Sequence, residues 1–234
     1  MDAITDRQKN ILYSLVAEYI KFGLPISSDF LKAECCFNFS PATIRSDLAE
    51  LTNNGFLTKT HVSGGRVPTD KGYRFFVDGL LRKERKKSAK FQKKFQEISR
   101  EMDDLFQMSH SLAENLARLS RNLALVGLEE MHIFWKEGWQ NMAKASEFAN
   151  ADYLKLFLDL ADDLEQEINK IDFSPSEKIK IFIGQESPFK VKEFSVILGQ
   201  GKINEKNSVF ALLGPKRMDF QKNIYLIESL IDLF

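Results

Sequence analysis

The sequence predicts an α+β protein in three parts: three short helices closed by a strand–turn–strand, then long amphipathic helices, then a small antiparallel sheet with one covering helix. Two patterns and a charge asymmetry carry this reading. Apolar residues recur at helical spacing through the first and middle thirds, and short apolar runs punctuated by Gly and Pro replace them near the end. The 234 residues carry no net formal charge. Residues 1–94 nevertheless hold 17 Lys and Arg against 10 Asp and Glu, whereas the remainder holds 16 against 23. A basic head on an acidic body is expected of a chain whose N-terminal part meets nucleic acid.

In the head, Thr5 or Asp6 caps a first helix with Ile11, Leu12, Leu15, Val16, Tyr19 and Ile20 on its apolar side, and Gly23 and Pro25 stop it. Ser27 or Ser28 starts a short second helix that carries Phe30 and Leu31 and dies out between Cys35 and Phe39. The third helix has the clearest signals. Ser40 is its N-cap, Pro41 sits in the first turn where a missing N–H costs nothing, and Gly55 ends it after Asn53 and Asn54. Ile44, Leu48 and Leu51 form its buried stripe, with Thr43, Arg45 and Ser46 on the opposite face and Asp47 beside them.

Phe56 to Thr58 suits a short strand, THVSGGRVPT a polar turn, and Val67 the start of the return. Residues 1–82 therefore read as a winged helix-turn-helix whose third helix enters a major groove. Arg45 has the fork to pair with guanine, and Ser40, Thr43 and Ser46 suit phosphate or base-edge contacts. The wing would present Lys59, His61, Ser63 and Arg66, with Arg66 in a minor groove or on a phosphate. Gly64 and Gly65 would let the wing backbone turn tightly and approach a phosphate. The alternative is that these polar residues form a solvated face, and that the head binds protein as an assembly module without specific DNA readout. Thr69 or Asp70 then caps a fourth helix with Tyr73, Phe76, Val77 and Leu80 facing the head. The basic run RKERKKSAKFQKK after it reads as either a solvated face or a contact to flanking phosphates.

In residues 83–126, Phe91, Phe95, Ile98, Met102, Leu105, Leu112, Leu116, Leu119, Leu123 and Val126 fall on steps of three and four, with Ser109 as the polar member. That repeat predicts one long helix with a seam. Dimerisation through Phe95, Ile98, Met102, Leu105, Leu112, Leu116 and Leu119 is one use of it, and packing on the chain's own C-terminal domain is the other. Met131, Phe134, Trp135 and Trp139 follow in an aromatic-rich helical stretch, and Phe148 to Ile168 marks another helix ending before Pro175. The tryptophans suit core or interface anchors, or the wall of a ligand pocket.

Within 127–234, Lys178–Gly184, Phe194–Gly199 and Ser208–Gly214 read as three strands, and Asp219 as the cap of a last helix with Ile224, Ile227, Leu230 and Ile231 inward. The gaps are too short for crossover helices, so the pairing should be antiparallel. No nucleotide-binding, zinc-protease, CxxC or serine-hydrolase motif occurs, and His61, His110 and His132 lie in different elements, so neither an enzyme nor a metal or cofactor is expected. Cys35 and Cys36 are adjacent and read as reduced thiols. The opening MDAITDRQKN lacks an apolar signal core and no membrane-length apolar run occurs, so a cytoplasmic location is expected.

The stretches DRQKNILYSLVAEYI, SPATIRSDLAEL and LTNNGFLTKTHVSGGRVPTDKGYRFFVD resemble the N-terminal domain of the bacterial heat-inducible transcription repressor HrcA family. IFIGQESPF and LLGPKRMDFQKNIYLIESLIDLF resemble the end of that family's GAF-like regulatory domain. The resemblance implies a repressor of chaperone genes that binds an inverted-repeat operator in double-stranded DNA as a homodimer, with a chaperonin as a further partner. It implies that SPATIRSDLAEL is the recognition element and that Arg45 and Arg66 meet DNA. Family members are usually longer, so the expectation is a shortened member with a reduced GAF-like domain, in which the heptad seam replaces the family's dimerisation domain.

Overall fold

The computed structural model describes residues 4–60, 64–82, 89–142, 144–174, 177–189 and 192–234. The chain divides into two compact units, Met1–Glu84 and Arg85–Phe234.

The first unit holds helices α1 (Asp6–Phe22), α2 (Ser28–Glu34) and α3 (Pro41–Asn53), strands β1 (Leu57–Lys59) and β2 (Arg66–Pro68), and helix α4 (Asp70–Arg82). Local chemistry sets its boundaries. Thr5 and Gln8 form a reciprocal capping box at the start of α1, and Gly23 ends it with φ 69°. Ser27 caps α2 through the Phe30 amide, and Ser40 caps α3 through the Thr43 amide. Ile11, Leu12, Leu15, Val16, Leu31, Ile44 and Leu51 are buried together with Phe56, Tyr73, Phe76 and Val77. The absence of a side chain at Gly79 makes room for the Tyr13 ring, because a Cβ there would lie 0.9 Å from the Tyr13 hydroxyl.

The second unit holds α5 (Ala89–Glu101), α6 (Leu105–Ser120), β3 (Leu123–Leu128), β4 (Ile133–Glu137), the short α7 (Trp139–Met142), α8 (Ala151–Ile168), β5 (Ile179–Ile183), β6 (Phe194–Ile203), β7 (Lys206–Pro215) and α9 (Phe220–Ile231). The strands make one antiparallel sheet in the order β4-β3-β7-β6-β5. One face packs on α8, where Phe157, Leu160, Ala161 and Leu164 meet Phe194, Val196, Leu198 and Leu213. The other faces α9, since a Cβ on Gly199 would come within 2.4 Å of Ile227, and α5 and α6 lie alongside α9. Arg217 closes this unit's connection into α9 by pairing with Glu147. Burial raises the Glu147 carboxyl, but its hydrogen bonds, the one from Arg217 foremost, outweigh this and hold it below the ordinary range.

Two expectations change. The long seamed helix of 83–126 is two helices and a strand: Asp104 caps α6 through the Gln107 amide at 2.7 Å, and Arg121 ends it in a left-handed conformation with φ 61°. Leu123 and Val126, read as the last seam positions, belong to β3, every residue of which is buried. Phe95, Ile98, Leu112 and Leu116 are buried within this unit's own chain, while Met102, Leu105 and Leu119 are half-buried. Likewise the sheet has five strands among the described residues, not three. The aromatic stretch around Phe134 and Trp135, read as helical, is the edge strand β4, reached through a turn in which His132 takes φ 53°. Strands β6 and β7 also run longer than read, closing on a two-residue turn in which Asn204 and Glu205 take φ 47° and 65°. Two consecutive positive φ values match the right-handed twist of a tight hairpin.

The intramolecular placement of the heptad residues has a measurable consequence. Leu112→Ala or Leu116→Ala should each cost about 2–5 kcal/mol of stability, the range for an emptied core leucine site. Because the side chains pack within their own chain, the loss should be the same in denaturant melts of dilute and concentrated samples.

Candidate nucleic-acid interface

The exposed face of α3 is built from below. Asp47, on α3, is 1% exposed. Arg7 of α1 donates to both its oxygens, Nε to Oδ2 at 2.7 Å and Nη2 to Oδ1 at 3.0 Å. One turn on, Gln8 donates to Glu50 at 2.5 Å. The same Arg7 guanidinium lies 5.7 Å from the centre of the Phe39 ring, and Phe39 stacks on Phe37 in the turn between α2 and α3. The Lys32 ammonium bonds the Phe37 carbonyl from α2. This network fixes α3 against α1 and fixes the turn that delivers it. The sequence reading put Asp47 on the outer face and passed over Arg7; Asp47 lies three positions after Ile44 and four before Leu51, and that spacing was the available signal that it shares their buried side.

Along α3, Pro41, Ala42, Arg45, Ser46, Ala49, Glu50 and Asn53 are exposed and Thr43 is half-buried, so Arg45 is the exposed cation of the helix. Among the described residues Arg45 and Ser46 have no ion pair or side-chain hydrogen bond, so both are available to a ligand. Ser40 and Thr43 are already engaged with one another, their hydroxyls 2.9 Å apart and the Ser40 oxygen accepting the Thr43 amide at 3.1 Å. Ser40 is thus a cap first, whatever else it touches.

On the wing, Lys59 is exposed at the end of β1, opposite Arg66 in the register. His61 and Ser63, also read as wing contacts, lie outside the described residues, as do residues 83–88 of the basic run after α4. Arg66 is less free than the sequence suggests. Its backbone pairs with Ile26, giving and accepting one hydrogen bond at 2.8 and 2.9 Å, which adds a third strand segment to the β1–β2 ribbon. Its half-buried guanidinium donates from Nε to Thr52 Oγ1 at 3.1 Å and from Nη1 to the Gly64 carbonyl at 3.1 Å.

Gly65 also has a role inside the fold. A Cβ there would lie 2.7 Å from the backbone atoms of Pro25 and Ile26, so the close approach the glycine permits is to the chain itself. Gly65 itself does not have a positive φ. Exposed Lys59, Arg45 and Ser46 therefore share one small unit with a wing whose base is pinned by Gly65 and Arg66. Among the described residues no group of three or more His, Cys, Asp or Glu is placed to hold a metal, and no helix is long and apolar enough to cross a membrane.

Gly65→Ala should therefore cost the first unit about 1–3 kcal/mol, as an overpacking substitution against backbone that cannot move aside. Thermal denaturation followed by circular dichroism measures it.

Comparison with known proteins sets this geometry in a family. Residues 33–69, from the end of α2 through the wing, match the DeoR-like helix-turn-helix domain. Residues 82–224 match the HrcA protein C-terminal domain. A heat-inducible transcription repressor HrcA from Roseiflexus sp. (strain RS-1) is 36% identical over 126 residues, which is 53% of this chain and 34% of that protein. The protein of the same name from Natranaerobius thermophilus is 47% identical over 75 residues, 32% of this chain and 22% of that one. The matches thus span about a third or less of the curated relatives' length. A solved structure described as a hypothetical protein shares the fold, with a TM-score of 0.79 at 19% identity over 98% of this chain and 97% of its own. The C-terminal domain match covers more than half of the sequence, and on that ground the chain belongs to the HrcA family.

Proposed function

We propose that the chain is a sequence-specific DNA-binding transcription repressor that acts as a dimer on an inverted-repeat operator and controls heat-shock (chaperone) genes. The observation that carries this is Arg45: exposed, unpaired among the described residues, and set on the first turns of a capped α3 inside the helix-turn-helix match. A guanidinium in that position has the two-pronged donor geometry that reads guanine, and Ser46 next to it in the chain and Lys59 on the wing supply phosphate contacts. Regulators of this family are non-catalytic, so the reading asks no reaction chemistry of the chain. The curated relatives are named heat-inducible transcription repressors, and this supports the assignment to heat-shock genes.

In this reading two chains place their α3 helices in half-sites one helical turn or a multiple apart. The buried members of the heptad stripe are committed to their own unit's core, so another surface brings the copies together. The five-stranded second unit is the regulatory part, with a GAF-like strand arrangement, and a chaperonin is its proposed partner in the cytoplasm.

Enrichment of a randomised duplex pool by the wild-type chain, followed by gel shift of the enriched and scrambled duplexes, tests the reading. An enriched inverted repeat bound in preference to its scramble is expected. Equal binding of both, or no enrichment, would overturn it. Arg45→Ala should weaken binding to the enriched duplex about tenfold, with little change on the scramble, because one base-reading pair is worth about 1–3 kcal/mol. Fluorescence anisotropy at fixed salt reads both numbers.

A further inference from the structure

We propose that Thr52 and Arg66 form a strut that sets the wing backbone against α3, making Thr52 a positioning residue for DNA recognition and Arg66 a brace rather than a DNA contact. The inference rests on the DNA-binding reading above and assigns roles within it.

The Thr52 hydroxyl has a single proton, and it donates that proton to the Leu48 carbonyl one turn back at 2.7 Å. Its oxygen is left to accept, and it accepts from Arg66 Nε at 3.1 Å. The other end of the same planar group reaches the Gly64 carbonyl at 3.1 Å. A rigid fork therefore spans from the body of the proposed recognition helix to the wing backbone two residues before its own. Three fixtures make that span stiff. Arg66 cannot slide, because its N–H and C=O are both bonded to Ile26. Gly65 cannot tilt toward the Pro25–Ile26 segment, which lies where its Cβ would be. Thr52 sits on a helix held to α1 through the Arg7–Asp47 pair, one turn from Leu48 in the core.

A guanidinium so spent offers a phosphate little. Two of its nitrogens already face oxygen acceptors within the unit, and the group is half-buried. Freeing it would break two hydrogen bonds and release the Gly64 carbonyl from its place. Lysine would not substitute, since a point charge cannot bridge two acceptors with fixed geometry.

Thr52→Val keeps the shape and removes the acceptor, and Thr52→Ser restores it. Melts by circular dichroism confirm that each variant is folded at the working temperature. In NMR spectra of the free chain, Thr52→Val should shift the Gly64 and Gly65 amide resonances and the Arg66 Nε–H, and Thr52→Ser should leave them near the wild-type positions. On the duplex enriched by the wild type, Thr52→Val and Arg66→Gln should each weaken binding about five- to tenfold, and the double variant should be no weaker than either alone. The salt dependence should keep its slope, because no phosphate contact is lost. Wild-type affinity in Thr52→Val together with a slope shallower by about one in Arg66→Gln would overturn the proposal and make Arg66 a phosphate contact. If the wild type enriches no duplex, the DNA-binding reading falls, and the NMR comparison still decides the strut: unmoved Gly64 and Gly65 resonances in Thr52→Val would overturn it.

Discussion

The first unit is organised around a buried carboxylate. Asp47 sits in the core beside Ile44, Leu48 and Leu51, where an unpartnered charge would be strongly destabilising. Arg7 meets both its oxygens, and the geometry that satisfies Asp47 also fixes where α3 lies on α1. From that follow the direction of the exposed Arg45 side, the seat of Thr52, and hence the place of the wing. Arg7 further covers Phe39, so one guanidinium ties together the first helix, the turn and the third helix. Its loss would leave a buried acceptor pair without donors, so its contribution lies in specifying the arrangement of the unit as much as in net stability.

The second unit solves a different problem. A five-stranded sheet whose central strands are buried on both faces needs cover on both, and α8 supplies one side while α6 and α9 supply the other, with α5 packed on α9 and α6. This explains why the apolar stripe of α6 is consumed inside the unit, since without it β3 and β4 would be left partly open, and the stripe of α5 is spent on α9 and α6. It also explains Gly199 of β6, since Ile227 fills the space that a side chain there would take. A repeat that reads as a dimer seam is here the cover of a sheet. Helices facing a helix and helices facing a sheet demand the same three- and four-residue spacing, so periodicity cannot distinguish them.

The family match and the geometry bear on different parts of the chain. The C-terminal domain match covers most of the sheet unit, while the proposed DNA contacts belong to α3 and the wing, within the helix-turn-helix match. The proposed recognition chemistry therefore lies in the head, and the match that shows the family lies in the sheet unit. Ser40 is a cap, Gly65 a point of self-contact and Arg66 a crosspiece, which leaves Arg45, Ser46 and Lys59 as the exposed groups with donors to spare among the described residues read as DNA contacts.

Features that depend on near neighbours along the chain are legible in the amino-acid sequence. The caps at Thr5, Ser27, Ser40 and Asp219 and the stop at Gly23 act within one helical turn, and each element they bound was legible, as was the exposed Arg45 between buried Ile44 and Leu48. The Asp104 cap before Gln107 was equally local, but the heptad spacing overrode it. Features that depend on distant contacts emerge only when the chain is folded. β3 is buried on both faces and shows no alternation, and α6 before it ends at Arg121 in a left-handed turn that sequence reading expects of glycine. Arg66 reads as a free cation until Ile26 pairs with its backbone and Thr52 meets its side chain, contacts 40 and 14 positions away. Partners that far along the chain leave no period in the sequence, because only the folded backbone brings them within hydrogen-bonding distance.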